Sequence, residues 1–205
     1  MVIAHPEEQE PRLMSEAEYL EFEEKSDIKH EYKAGKIYAM AGAGWNHNII
    51  NGNTQTSLNS QLVGKPCSAV SSDMRLKVVS KSVSFHYPDT MVICGEPEFV
   101  EGRSDTISNP TVIVEVLSPS TALKDHNEKL DEYIKIASVQ EYVLISQHEA
   151  KLEIYTRQTF GEWLYRPIRG LNASIELTSI GCTLALAKLY DKTRDLQDNT
   201  QIETD

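Results

Sequence analysis

The sequence has few cysteines and no motif built from them. Cys67, Cys94 and Cys182 are the only cysteines among 205 residues; they lie far apart, and no Cys-x-x-Cys occurs. An odd and scattered set is typical of neither a disulfide framework nor a zinc site. We therefore expect reduced cysteines in a cytoplasmic protein.

Long apolar runs and several enzyme signatures are also missing. No apolar stretch reaches the roughly 20 residues that a membrane helix needs. Residues 1–12 have no basic start followed by an apolar run, so no secretory signal is visible. The motifs Gly-x-Ser-x-Gly, His-Glu-x-x-His and the phosphate-binding Gly-x-x-x-x-Gly-Lys do not occur. We expect no membrane partner and no nucleotide cofactor.

Positive charge is scarce, and the net charge is −11. Such a balance argues against a nucleic-acid partner, but its distribution weakens that argument. Residues 1–25 carry −6 and residues 191–205 carry −3, which leaves −2 on residues 26–190. A basic stretch precedes Asp89 and consists of Lys65, Arg75, Lys77 and Lys81. A solvated strand face explains these four residues equally well, so acidity neither excludes DNA nor indicates it.

Two short runs contain one carboxylate each in an apolar setting. Ser84–Cys94 and Thr111–Pro119 are rich in β-branched and aromatic residues and are predicted to be buried strands. Asp89 follows a proline in the first run, and Glu115 lies within Val-Ile-Val-Glu-Val-Leu in the second. A buried carboxylate is costly unless its charge is compensated. Two on neighbouring strands would repel each other unless a cation such as Mg²⁺ lay between them.

The remaining elements predict one mixed domain of the α/β (α+β) class. Helices are expected from Ser15 to about Lys25, from about Asn46 to Val63 and from Asp125 to Ala137, and a hairpin is expected around Ala34-Gly35. The order helix, hairpin, helix, strands, helix, strands indicates a mixed sheet flanked by helices. We place this domain at residues 14–190, between a disordered acidic tail, residues 1–13, and an acidic C-terminal tail, residues 191–205.

Three segments in a fixed order resemble a known superfamily. Tyr87-Pro-Asp89, then Val114-Glu-Val-Leu-Ser-Pro-Ser-Thr121, then a helix and Glu141-Tyr-Val-Leu are similar to the PD-(D/E)XK restriction-endonuclease-like superfamily, and more narrowly to its Uma-type family. The resemblance covers about residues 14–190. It implies a mixed sheet of four or five strands flanked by helices.

The same resemblance implies an activity and a cofactor. Mg²⁺, or Mn²⁺ in its place, would be held by Asp89, Glu115 and the backbone carbonyl of Val116, and would activate water to cleave DNA. Cutting both strands implies two active sites and hence a homodimer by symmetry.

One position departs from the superfamily pattern. A lysine is expected two residues after the glutamate, where this chain has Leu117. At about 100° per residue, Lys129 lies about 40° from Tyr133, at the edge of the apolar arc of the predicted helix. Lys124 and Lys135 fall on the solvent side. We therefore interpret Lys129 as the displaced catalytic lysine, with Tyr133 beside it; the alternative is a surface pair between Asp125 and Lys129.

Three further residues are weaker candidates for the site. Glu31 would add a carboxylate to the metal, or be an exposed strand residue. His47 would act as a general base or anion contact near a helix start, although capping or packing is the more common role. Asp73 would be a site acid or the partner of Arg75. His86 alternates faces with Asp89 and is not expected to be a ligand.

Two functions from different classes remain open. The first is a Mg²⁺-dependent endonuclease on DNA, which the two costly strand carboxylates favour. The second is a catalytically inactive nuclease-like module that binds a protein or nucleic acid, which Leu117 and the acidic tails favour.

Overall fold

The computed structural model of the chain describes residues 13–118 and 122–196. Its helices are α1 (Glu16–Glu24), α2 (Trp45–Leu62), α3 (Ala122–Lys124), α4 (Leu130–Tyr133) and α5 (Leu186–Leu189), with a π-helical segment at Asp125–Lys129 and a 3-10 turn at Thr159–Gly161. Its strands are β1 (His30–Lys33), β2 (Lys36–Ala39), β3 (Cys67–Ser71), β4 (Arg75–Val79), β5 (Val83–His86), β6 (Thr90–Cys94), β7 (Thr106–Ile107), β8 (Val112–Leu117), β9 (Glu141–Ser146), β10 (Lys151–Arg157), β11 (Trp163–Arg169), β12 (Ser174–Leu177) and β13 (Cys182–Ala185). Within these ranges no helix is long and apolar enough to cross a membrane.

The strands form two larger sheets and one hairpin. One sheet has the order β2-β1-β5-β4-β7, the other has the order β11-β10-β9-β8-β6-β3, and β12 pairs with β13. The pairs β8–β9 and β4–β7 are parallel, and the remaining pairs are antiparallel. The mixed α+β class is as predicted. The second large sheet is a correction, because a single sheet of four or five strands was expected.

The segment Ser84–Cys94 is interrupted near Pro88, and this interruption explains why there are two large sheets. Ser84–Cys94 was expected to be one strand, but it forms β5 in the five-stranded sheet and β6 in the six-stranded sheet. The intervening segment contains Pro88, which has no amide hydrogen to donate to a strand ladder. The chain therefore changes sheets here, and Asp89 lies at the junction between them.

Local signals near the N-terminus form as the sequence predicts. The Ser15 hydroxyl accepts a hydrogen bond from the backbone amide of Glu18, and the Glu18 carboxylate accepts one from the Ser15 amide, which completes a capping box. The hairpin turn has positive φ angles of 49° at Ala34 and 90° at Gly35. Two such residues in a two-residue loop match the twist of the paired strands.

The two faces of β8 face different cores. Val112, Val114 and Val116 pack into a cluster that includes residues from α2, α5 and the β12–β13 hairpin. Ile113, on the other face, packs with Leu76 and Tyr133 in the cluster between the two sheets. Side chains alternate along a strand, so Glu115 points into the space between the sheets, where the segment 122–133 also packs.

The helix predicted at Asp125–Ala137 is shorter and irregular. Its first five residues, Asp125–Lys129, form the π-helical segment, and α4 ends at Tyr133. In π-helical geometry the hydrogen bonds join residues five apart, so Lys124 and Lys129 face the same direction. The prediction that Lys124 faces solvent is therefore wrong, because it assumed regular α-helical spacing. Lys135 is exposed, as predicted.

The expectation that all cysteines are reduced is also corrected. Cys67 and Cys94 are paired residues of β3 and β6 and form a disulfide, with their Cα atoms 4.0 Å apart. Cys182 is free and buried. The bond depends on the pairing of two strands that are distant in sequence, which cysteine spacing alone does not show.

Residues past the predicted domain end at 190 still contact the fold. The Asn46 side chain donates to the carbonyl of Arg194 at 2.7 Å and accepts from its amide at 2.9 Å. The Arg194 guanidinium lies 4.7 Å from the centre of the Trp45 ring. Leu196 packs against the core. Residues 1–12, 119–121 and 197–205, which include most of both predicted tails, lie outside the described residues.

We expect two C-terminal truncations to differ in stability. Removing residues 197–205 should leave the free energy of unfolding unchanged, because this segment has little apolar surface to bury. Removing residues 192–205 should cost about 1–3 kcal/mol, because the hydrogen bonds to Asn46 are lost. Urea denaturation of both variants measures the difference. Equal stability of the two would show that the contacts of Arg194 contribute nothing.

Candidate active site

Asp89 is fixed at the junction of the two sheets by two hydrogen-bond donors. One carboxylate oxygen accepts from the backbone amide of Val116 at 2.7 Å. The other lies 2.9 Å from His47 Nε2, which the first turn of α2 brings to this position. Thr90 pairs with Val114 in the ladder, so Asp89 lies beside Glu115. His47, a weaker sequence candidate, thus contacts one of the two principal carboxylates.

Glu115 forms a buried contact with Lys129. Lys129 Nζ donates to Glu115 Oε1 at 2.9 Å, and the Tyr133 hydroxyl donates to the same oxygen at 3.2 Å. Glu115 and Lys129 are both buried, and Tyr133 is completely so. The structure therefore brings together three of the residues that the sequence nominated: the strand glutamate, the displaced lysine and its neighbouring tyrosine.

The same ammonium group faces two further carboxylates. Lys129 Nζ lies 3.1 Å from Glu31 Oε1 and 3.1 Å from Asp125 Oδ1. The buried Asp125 Oδ1 accepts no hydrogen bond among the described residues, so its contact with Lys129 is an ion pair only. The pair between Asp125 and Lys129 was considered as a surface ion pair, but it is buried inside the site.

Burial and excess negative charge shape the electrostatics of the cluster. Burial raises the pKa of Glu115 to about 8; Lys129 opposes this rise, and Asp125 and Asp89 add to it. Burial disfavours the charged form of Lys129, but Glu115, Tyr133, Glu31 and Asp125 together raise its pKa well above the usual value. Lys129 is therefore charged, and it lies among more carboxylates than one ammonium group can neutralise.

Glu31 belongs to this cluster, but through the other sheet. Its Oε1 lies 3.2 Å from His86 Nδ1, and its Oε2 accepts from Lys124. Burial disfavours the ionised form, but the contact with His86 and the charges of Lys129 and Lys124 hold the pKa of Glu31 well below its usual range. Of the two interpretations left open, exposed strand residue and site acid, the contacts favour the second.

His86, Lys124, Asp125 and Glu132 were not predicted to belong to the site. His86 lies between two carboxylates, with Nε2 2.7 Å from Glu132 Oε2. The four-residue spacing of Asp125 and Lys129 was a visible signal, but it is equally typical of a solvated helix. His86 and Glu132 carried no signal, because strand β5 and helix α4 meet only in the folded chain.

Asp73 does not join the cluster. It is exposed and pairs with Lys29. Arg75, its other expected partner, lies 3.3 Å from Asp105 instead. Asp73 lies in the turn between β3 and β4. It is therefore neither an acid of the cluster around Glu115 nor the partner of Arg75.

We expect Glu132 to stabilise the fold in a pH-dependent way. Burial opposes its ionisation, but His86 and Lys33 lower the pKa of Glu132 from 4.5 to about 2. A lowered folded-state pKa contributes stability above about pH 4.5 that is lost as the pH falls toward about 2. Glu132→Gln should therefore lower the free energy of unfolding by up to about 3 kcal/mol near pH 7 and by much less near pH 3.

A neighbouring carboxylate provides the control for that measurement. Glu128 also pairs with Lys33, at 2.8 Å, but its side chain is 57% exposed. Glu128→Gln should change stability by less than about 1 kcal/mol at either pH. Chemical denaturation at both pH values tests the pair, and a pH-independent effect of Glu132→Gln would contradict the charge-based explanation.

The carboxylates are separate from an apolar groove elsewhere on the surface. This groove, of about 650 Å³, lies between α1 and the β1–β2 hairpin and is lined by residues such as Met14, Phe22 and Ile37. It contains none of the buried carboxylates described above. We therefore locate the candidate chemistry at the junction of the sheets and not in this groove.

The residues present suit a hard divalent cation only in part. Across residues 13–118 and 122–196, no three His, Cys, Asp or Glu side chains converge as ready-made metal ligands. Mg²⁺, however, is commonly held by one or two carboxylates together with water and substrate phosphate. Asp89 and Glu115 lie just beyond the Thr90–Val114 pair, on the two strands, and supply that number. Burial is the main cause of the raised pKa of Glu115, and a cation would relieve the repulsion from Asp125 and Asp89 that adds to it.

The carboxylates of Asp89 and Glu115 and the buried Lys129 thus lie together at the junction of the two sheets. The chain belongs to the family described as "Uma2: Putative restriction endonuclease", whose model matches residues 16–187. Two similar proteins of Synechocystis sp. (strain ATCC 27184 / PCC 6803 / Kazusa) are "Uncharacterized protein sll1609" and "Uncharacterized protein slr1290". The first is 38% identical over 82% of this chain and 94% of its own length. The second is 35% identical over 92% of this chain and 97% of its own length.

A solved structure has the same fold. The crystal structure of "a putative nuclease belonging to DUF820 from Anabaena variabilis ATCC 29413" superposes with a TM-score of 0.66, covering 85% of this chain and 96% of that one. The two sequences are 18% identical, so this similarity is evidence for the fold alone.

Proposed function

We propose that this protein is a Mg²⁺-dependent endonuclease that hydrolyses phosphodiester bonds in DNA. The observation that carries the proposal is the buried contact of 2.9 Å between Lys129 Nζ and Glu115 Oε1. Lys129 lies in the segment after β8 and would replace the lysine that the strand lacks at Leu117. Membership of a family described as restriction endonucleases supports the same reaction class.

In this proposal, Asp89 and Glu115 hold the metal together with the backbone carbonyl of Val116. Glu31 is a further candidate ligand. When bound, Mg²⁺ or Mn²⁺ would supply Lewis-acid polarisation of the phosphodiester. The protein's own contacts prepare the donors: His47 and the Val116 amide orient Asp89, and Tyr133 orients Glu115.

Lys129 would stabilise the negative charge that develops on the phosphate during attack by water. Preorganised positive charge in a site shielded from water is worth far more than in solution. Its contacts with Glu115, Glu31 and Asp125 fix the ammonium group, so little reorganisation is needed. Because its Nε2 donates to Asp89, His47 would accept a proton only through its other ring nitrogen, Nδ1.

The second candidate function is a non-catalytic module that binds nucleic acid or protein. Leu117 in the usual lysine position and the net charge of −11 favour it. Carboxylates without a metal would then serve only as partners of Lys129 and Lys124.

Incubation of the purified protein with supercoiled plasmid discriminates between the two functions. The proposal expects nicking or linearisation with Mg²⁺ or Mn²⁺ and none with chelator. Binding without cleavage under all these conditions would favour the non-catalytic module. We further propose a homodimer, since cutting both strands uses two symmetric sites; sedimentation of the protein with and without DNA tests this.

A further inference from the structure

A second lysine lies at the entrance to the carboxylate cluster. Lys124 contacts Oε2 of Glu31, while Lys129 lies 3.1 Å from Oε1 of the same carboxylate. The two lysines are five residues apart, and the π-helical hydrogen bonding between them orients them alike. They differ in exposure: the Lys124 side chain is 28% exposed and the Lys129 side chain 6%.

Lys124 lies beside a row of side chains on β2, β1 and β5 that runs from the surface into the interior. Tyr38 and Glu31 are directly opposite each other on β2 and β1, so their side chains share one face of the sheet. Glu31 in turn contacts His86 on β5. The exposed fraction falls along this row, from 45% at Tyr38 to 7% at Glu31 and 1% at His86. Lys124 lies above the outer end of the row, with Nζ 5.0 Å from the centre of the Tyr38 ring.

Lys124 has hydrogen-bonding capacity that Lys129 lacks. An ammonium group has three donors. Lys129 directs its group at three carboxylates and is enclosed by them. Among residues 13–118 and 122–196, Lys124 contacts one carboxylate, and its second contact is the face of an aromatic ring, which attracts the charge without accepting a conventional hydrogen bond. Since Lys124 is also partly exposed, it is able to meet an anion from solvent.

We propose that Lys124, held in place by Tyr38, binds a phosphate of the substrate strand at the entrance to the site. This inference rests on the proposed function and assigns substrate binding and catalysis to different lysines. Lys124 attracts and positions the nucleic-acid backbone, and Lys129 acts on the reacting phosphate. A simple neutralising role for Lys124 toward Glu31 is the competing explanation.

Salt-dependent DNA binding separates these explanations. Binding of a short labelled duplex is measured with Ca²⁺ in place of Mg²⁺, for wild type, Lys124→Met and Lys124→Arg. Each phosphate contact adds about 0.9 to the slope of log affinity against log salt. The fall in affinity between about 50 and about 200 mM salt should therefore be about 3.5-fold smaller in Lys124→Met than in wild type. Lys124→Arg should keep the wild-type slope.

Two further variants control for folding and for charge. Lys135→Met removes an equally positive but exposed residue and should leave the slope unchanged. Tyr38→Leu should weaken binding because Lys124 loses its aromatic partner, whereas Tyr38→Phe should bind as wild type does. Thermal melts confirm that each variant is folded, which is expected of Lys124→Met because Glu31 keeps its contacts with Lys129 and His86.

The outcomes also separate this inference from the proposed function. In cleavage assays Lys124→Met should raise KM with little change in kcat. If Lys124→Met binds DNA with the same affinity and the same salt slope as the wild type, the role of Lys124 is overturned, while the proposed function stands. Absence of any binding and cleavage by wild type would overturn the proposed function, and this inference with it.

Discussion

Replacing Lys129 with methionine should reduce the DNA cleavage rate by about 10²–10³-fold, which is the scale of losing one preorganised electrostatic contact. Methionine keeps most of the length and packing of the lysine stem but removes its charge. The effect should appear in kcat, because the buried ammonium group acts on the reacting phosphate and not on initial binding. Single-turnover cleavage of a plasmid measures it.

Lys135→Met is the matched control for that experiment. Lys135 lies in the same stretch of chain but is exposed, so its replacement should leave the rate unchanged. Unimpaired cleavage by Lys129→Met would show that Lys129 is not the displaced catalytic lysine. Adding Leu117→Lys to the inactive variant should restore part of the rate, because Leu117 and Glu115 lie on the same face of β8.

Saturating Mg²⁺ should raise the melting temperature of the wild-type protein by about 5–10 °C. A ligand at 100 times its Kd stabilises the native state by about 2.7 kcal/mol, and about 1 kcal/mol corresponds to about 2–4 °C in a protein of this size. Asp89→Ala and Glu115→Ala should each abolish the increase. Differential scanning calorimetry with Mg²⁺, and then with chelator, provides the measurement.

A carboxylate outside the cluster serves as the comparison. Asp73→Ala should retain the full response to Mg²⁺, because Asp73 is exposed and pairs with Lys29. The same increase in wild type, Asp89→Ala and Glu115→Ala would refute a shared metal site. Glu115→Ala is expected to fold, since Lys129 keeps its contacts with Glu31 and Asp125.

Local features of this protein are determined by short stretches of sequence. The capping box at Ser15 and the turn at Ala34-Gly35 form as predicted because their partners lie within a few residues. The apolar run around Glu115 correctly predicts a buried strand, since burial on both faces requires continuous hydrophobic residues. A charged carboxylate is costly to bury in such a run, so the sequence alone indicates that Glu115 belongs to a functional site.

The composition of the cluster was decided by the tertiary structure. Glu31 contacts Lys129, and His86 contacts Glu31, only because the chain changes sheets at Pro88 and the five-stranded sheet packs over the face of β8 that carries Ile113 and Glu115. Lys124 joins them because the segment before α4 is π-helical, which no periodicity in the sequence indicated. The disulfide likewise needs β3 to pair with β6. Short-range patterns fix which residues are buried, but which buried groups meet depends on packing between segments far apart in the chain.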